Sequence, residues 1–181
     1  MIFSELRLSG TFIIEPEPHG DNRGKFARIV CMDELKKIGH TKDIVQVNYS
    51  LTHQKGSVRG MHFQHAPQKE IKMVKCIRGT VFDVIIDLRK NSPTLLQWHG
   101  EILTPENMKM MYIPEGCAHG FQTLEDECEL LYFHSEYYTP ECEGAIHYND
   151  PLVKVTWPVE ITEISERDSR QPFLSKGFEG I

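Results

Sequence analysis

From Ile44 onward the chain is a succession of short runs of β-branched and aromatic residues separated by turn chemistry: IVQVNYS, KMVKCIRG, TVFDVIIDLR, KMMYIPEG, GFQTL and ELLYFHSEYY. Runs of this length and composition pair as strands, and many in close succession specify an all-β sandwich or barrel. In TVFDVIIDL, Val81, Asp83 and Ile85 alternate with Phe82, Val84 and Ile86, so one strand face holds an acid among apolar neighbours. A barrel of such strands has a semi-polar interior. Only Met32 to Ile38 reads as helical, with Gly39 as its stop. No low-complexity segment, long linker or internal repeat interrupts the 181 residues, which read as one domain, 1–181.

The net charge of -6 argues against non-specific attraction to nucleic acid or to an anionic membrane surface. A phosphate-bearing ligand must therefore meet local lysines and arginines. The opening MIFSELRLSG lacks the apolar stretch of a signal peptide, and no run approaches the roughly 20 apolar residues that span a bilayer, so a cytoplasmic protein is expected. Cys31, Cys76, Cys117, Cys128 and Cys142 are odd in number and widely scattered, which predicts reduced thiols and neither disulfides nor a zinc knuckle. Strand edges need cover, and the segment Phe3 to Ile14 is expected to pair with a second subunit, giving a homodimer.

Two histidine-bearing stretches stand out. GSVRGMHFQ places Arg59 and His62 near a strand start, and YIPEGCAHGF places His119 just after a turn; their separation fits opposite sides of one barrel mouth. Pro114, Gly116 and His119 resemble the second cupin motif, Pro-x-Gly-x-x-His, which implies a cupin-type jelly roll with a few short helices. A metal-binding cupin has His-x-His in its first motif, whereas Phe63 and Gln64 follow His62 here. A metal would have to rely on His62, His119 and Glu70, a thin donor set, so no metal is expected.

In the order VRGMHFQ, KMVKCIRGTVFDVIIDLR, SPT, YIPEGCAHGFQTL, YNDP and SERDSRQP, the chain resembles the dTDP-4-dehydrorhamnose 3,5-epimerase family from Asp21 to Pro172. Their joint order and spacing, rather than any one string, carry the resemblance. It implies a His62 general base paired with Asp168, a lysine at Lys72, a tyrosine acid at Tyr132 and a second pocket histidine at His119. It also implies diphosphate-binding arginines at Arg23 and Arg59, pocket amides at Gln46 and Asn48, and an aromatic, Tyr138, flanking the nucleotide. Arg28 stands where dTDP-sugar members commonly carry glutamate, which leaves the nucleotide base and the sugar open.

These residue types suit proton transfer next to a ketone. Removing a proton α to a carbonyl puts negative charge on the oxygen, which a lysine can face. A histidine takes the proton from one side and a tyrosine, with an ordinary pKa of about 10, returns one from the other, inverting the carbon. No hydride acceptor is needed, in keeping with the absence of a glycine-rich dinucleotide motif, so neither NAD nor any other cofactor is implied. The substrate expected is a nucleotide-linked 4-keto-6-deoxy hexose inverted at C3, C5 or both, in rhamnose or other cell-surface polysaccharide synthesis.

Plainer readings stand beside these. His62 alone reads as a structural histidine, Tyr132 as a packed strand aromatic, Lys72 as an edge-strand lysine and Asp168 as surface charge. His53, His65, His99, His134 and His147 are left without a role. Three other functions compete: a single-centre epimerase acting on a GDP-, CDP- or UDP-sugar, a metal-dependent cupin oxygenase or isomerase, and a non-catalytic sugar-nucleotide-binding cupin.

Overall fold

The computed structural model describes residues 1–181. Strands β1 (Ile2–Glu5), β2 (Phe12–Glu15), β5 (Gln46–Thr52), β7 (Lys72–Arg78), β10 (Met110–Ile113) and β12 (Cys128–His134) form one sheet, ordered β1-β2-β10-β7-β12-β5. The second sheet runs β13-β6-β11-β8-β9, from β6 (Ser57–Gln64), β8 (Val81–Asp87), β9 (Trp98–Leu103), β11 (Cys117–Thr123) and β13 (Glu143–Ala145), with β14 (Glu163–Ile164) added to β6. β3 (His19–Asp21) and β4 (Gly24–Phe26) make a separate exposed hairpin. The sheets pack as a jelly-roll sandwich, the architecture expected from the run pattern. Helix α1 (Met32–Leu35) continues as a 3-10 turn, Lys36–Ile38, and stops at Gly39 with φ 78°, as the sequence predicts.

The alternation in β8 is realised on both faces. Val81 and Ile85 join Val74, Cys76, Phe121 and Leu130 in the core between the sheets, and Val84 and Ile86 face the other way. That outer face is covered by the chain after β13, through Ile146, Val153, Val155, Trp157, Leu174 and Phe178. The helix and the N-terminal strands cover the first sheet's outer face, where Ile14, Leu35, Met73 and Met110 are buried. Inward residues grade along each strand: Cys128 and Leu130 are core on β12, whereas Tyr132 and His134, two and four residues beyond Leu130, face the polar mouth.

Within the chain, β1 pairs with β2, and β2 with β10 through Met110, Met111 and Tyr112, because three apolar positions of β2 match that strand; β1 is left as the sheet's edge. One expectation needs correction: the histidines do not sit across the mouth from one another. His62 lies inside the eight-residue strand β6 and is register partner to His119 on the adjacent strand β11.

The register of β6 against β11 shifts between His119 and Phe121, where Arg59 opposes Phe121 and His62 opposes His119. Residues three apart on a regular strand point to opposite faces; the extra residue of this bulge turns Arg59 and His62 to the same side. Gly60 (φ 131°) and Gly120 make it possible. A Cβ on Gly60 would lie 2.5 Å from Gly120 Cα, and one on Gly120 would lie 2.6 Å from the Arg59 carbonyl oxygen. Gly60→Ala is therefore expected to destabilise the fold by about 3 kcal/mol, from backbone strain plus overpacking. Guanidinium unfolding will read this as a lower midpoint at unchanged slope.

Candidate active site

A cleft of about 700 Å3 opens between the two sheets at the polar end of the sandwich, within the range of small-molecule sites, about 300–1,000 Å3. β6 and β11 contribute Arg59, His62 and His119 from one wall. β5, β7 and β12 contribute Gln46, Asn48, Lys72 and Tyr132 from the other. Tyr138 and Asp168 complete the lining from segments that follow the barrel strands.

His62 Nε2 lies 2.8 Å from Asp168 Oδ1, across a sequence separation of 106. Asp168 sits in the short helix α2 (Glu166–Ser169), whose first turn is capped when Ser165 Oγ accepts the Asp168 N–H at 3.0 Å. Its Oδ2 accepts the Gly60 N–H at 3.2 Å, tying helix to bulge. Burial pushes the carboxyl up, but the hydrogen bond and charge of His62, with the Gly60 N–H, hold it below its ordinary value. The ionised carboxylate can only accept, so Nε2 carries the proton and Nδ1 is the basic nitrogen.

His119 Nε2 pairs with Asp83 Oδ1 at 2.7 Å, the acid whose inward position the strand alternation predicts. Burial raises the Asp83 carboxyl against the pull of His119, and its Oδ2 has no partner. A third pair joins His134 Nδ1 to Glu70 Oε2 at 2.7 Å, and Glu70 Oε1 also binds Lys72 Nζ at 2.9 Å. Burial opposes the ionised Glu70, yet the Lys72 charge and the His134 hydrogen bond hold it down at about 2. Tyr132 shares a 3.1 Å hydrogen bond with Ser50 Oγ, packs edge-on to His119 and stacks on His134. Burial pushes its phenol above the ordinary value, so it is protonated at neutral pH.

Nine of the eleven residues expected at the site therefore meet in one cleft. Arg23 and Arg28 do not. Arg23 stands on the exposed β3–β4 hairpin, bound to Asp21 at 2.6 Å, and Arg28 binds Glu34 at 3.0 Å. His62, His119 and Glu70 each bind a different partner: Asp168, Asp83, and Lys72 with His134. No three His, Cys, Asp or Glu side chains form a group able to hold a metal. Sequence reasoning left His134 and Arg167 without a role, and both line the cleft. His134 was legible from period two, since it follows Tyr132 by two positions on β12; Arg167 had no signal beyond adjacency to Asp168.

A jelly-roll barrel whose mouth holds a histidine–aspartate pair facing a half-buried tyrosine and a buried lysine defines a cupin of the sugar-nucleotide epimerase class. Comparison with known proteins agrees. The dTDP-4-dehydrorhamnose 3,5-epimerase family pattern matches residues 5–176, and the chain belongs to this family. It is 39% identical to the dTDP-4-dehydrorhamnose 3,5-epimerase of Salmonella typhimurium, over 98% of both chains. It is 38% identical to the dTDP-4-dehydrorhamnose 3-epimerase of Streptomyces niveus, over 94% of this chain and 83% of that one. The crystal structure of dTDP-6-deoxy-D-glucose-3,5-epimerase from Legionella pneumophila, in complex with dTDP-4-keto-L-rhamnose, superposes with TM-score 0.90 at 37% identity. That match covers 95% of this chain and 92% of that one.

Glu70 has a depressed pKa in the fold, so the stability it contributes is complete above its ordinary value of 4.5 and is lost as pH falls through about 2. Glu70→Gln is expected to be less stable at neutral pH and to show a flatter loss of stability over that acid range. Urea unfolding of both proteins between about pH 5 and about pH 2 measures the difference.

Proposed function

We propose that this protein inverts C3 and C5 of a dTDP-linked 4-keto-6-deoxy hexose by proton transfer through an enolate. The observation that carries the reading is the placement of His62 and Tyr132 on opposite sheets, with the cleft between them. C3 and C5 both flank the C4 ketone, so one base and one acid can serve both centres once the sugar turns in the cleft.

His62 Nδ1 takes the carbon-bound proton, and ionised Asp168 stabilises the imidazolium that results. The electrons pass to the C4 oxygen, and the Lys72 ammonium, aimed by Glu70, faces the developing charge. The Tyr132 phenol, kept protonated by burial, returns a proton to the opposite face and inverts the centre. Ser50 bonds the phenol oxygen and steadies the phenolate left behind. The Arg59 guanidinium forms no hydrogen bond within the chain and offers its planar fork to the diphosphate, while Tyr138 flanks the base.

Arg23 has the same phosphate-binding role in a neighbouring copy. The β3–β4 hairpin carries it away from its own cleft, and Phe26 beside it is 76% exposed, as are Val47 and Tyr49, each 55%, on edge strand β5. Apolar side chains at a sheet edge and on a projecting hairpin support a homodimer that buries them. The five thiols are free, and burial pushes Cys76 and Cys117 up to about 12, which suits a reducing cytoplasm. The near-equal identity to the 3-epimerase from Streptomyces niveus favours inversion at C3 alone as the second reading.

Incubation with dTDP-4-keto-6-deoxyglucose in heavy water, followed by NMR, is expected to show deuterium at both C3 and C5. Label at C3 alone supports the second reading, and no label at either overturns the function. His62→Ala is expected to lower exchange about a thousandfold, and Tyr132→Phe to lose epimerisation more than exchange. Sedimentation equilibrium is expected to give the mass of two chains. Arg23→Ala should raise KM about tenfold through one lost charged hydrogen bond, with little change in kcat.

A further inference from the structure

Gln46, Asn48, His134 and Glu70 form a hydrogen-bond chain that runs along the cleft wall in one direction. The Tyr138 backbone N–H donates to Gln46 Oε1 at 3.3 Å, and Gln46 Nε2 donates to Asn48 Oδ1 at 3.2 Å. Asn48 Nδ2 lies 3.4 Å from His134 Nε2, and His134 Nδ1 lies 2.7 Å from Glu70 Oε2. Amide and imidazole orientations are ambiguous one at a time, but here both ends are fixed. The backbone N–H can only donate, and ionised Glu70 can only accept. Every group between them then has one consistent orientation, in which His134 is neutral, protonated at Nδ1, and accepts from Asn48 through Nε2.

We propose that His134, on the epimerase reading above, is a positioning residue that fixes how the Asn48 and Gln46 amides present their donors and acceptors to the sugar nucleotide. It does so only as the neutral ring. A second proton would turn Nε2 into a donor facing the Asn48 amide nitrogen. Turning Asn48 over moves the conflict to Gln46, and turning Gln46 moves it to the Tyr138 N–H, which cannot turn. The groups around the ring are Glu70 before β7, Lys72 on β7, Tyr132 on its own strand and His119 of β11 behind Tyr132. β5 brings only uncharged amides against it.

His134→Phe keeps a ring over Tyr132 and removes both nitrogens. It is expected to raise KM about tenfold at neutral pH while changing kcat less than about threefold, the signature of lost ground-state binding. The wild type's rise in KM toward acid pH is expected to be weaker in this variant. A nitrogen-15 correlation spectrum of the wild-type imidazoles, assigned with the variant, is expected to show His134 protonated at Nδ1 and not at Nε2. A ring protonated at Nε2 overturns the proposal, as does a variant whose KM and its pH dependence match the wild type. A wild type that exchanges no sugar proton fails on the epimerase reading instead, and is told apart because the tautomer spectrum needs no turnover.

Discussion

The contact on which the site depends is the approach of Gly60 on β6 to Gly120 on β11. No side chain fits between these backbones, since a Cβ on Gly60 would come within 2.5 Å of the facing Cα. The bulge that this closeness permits changes the parity of β6, so Arg59 and His62 share the cleft face while Met61 and Phe63 remain in the apolar layer behind. The same turn exposes the Gly60 N–H to Asp168, which joins the barrel to the C-terminal helix.

Electrostatics then separates three histidine–carboxylate pairs that look alike by residue type. The fate of each acid follows the number of donors set against the cost of its burial. Glu70 has an ammonium and an imidazole and stays ionised far into acid; Asp168 has His62 and the Gly60 N–H and is also held down. Asp83, fully buried, has His119 alone, and burial prevails. The cleft therefore holds both kinds of carboxyl, anions at Asp168 and Glu70 and an acid raised by burial at Asp83.

The C-terminal segment is structure and machinery at once. Val153, Val155, Trp157, Leu174 and Phe178 seal the second sheet's outer face, and the Ile181 N–H bonds to the Leu88 carbonyl oxygen at 2.8 Å. Between these anchors β14 adds to β6, and the chain arrives at Ser165, whose hydroxyl caps the turn holding Asp168. Apolar packing on the back of the sheet thus fixes the acid that orients His62 on its front.

Period-two alternation and turn residues are local properties, so the sequence by itself determined most of the strands between β5 and β12, the helix with its glycine stop, and the face of β8 that carries Asp83; the short N-terminal strands and β9 gave no such signal. Ordered motifs further named the family and nine residues that meet in the cleft. The pairing of His62 with Asp168 spans 106 residues, and nothing local to either could disclose it without the resemblance. The adjacency of His62 and His119, the bulge that turns Arg59 inward, and the chain through His134 depend on register and strand order. Those are decided only when distant strands compete to bury their apolar faces, and there the tertiary structure chose. The exposed position of Arg23 was likewise invisible in the sequence, because exposure is a property of the whole surface and not of the residue.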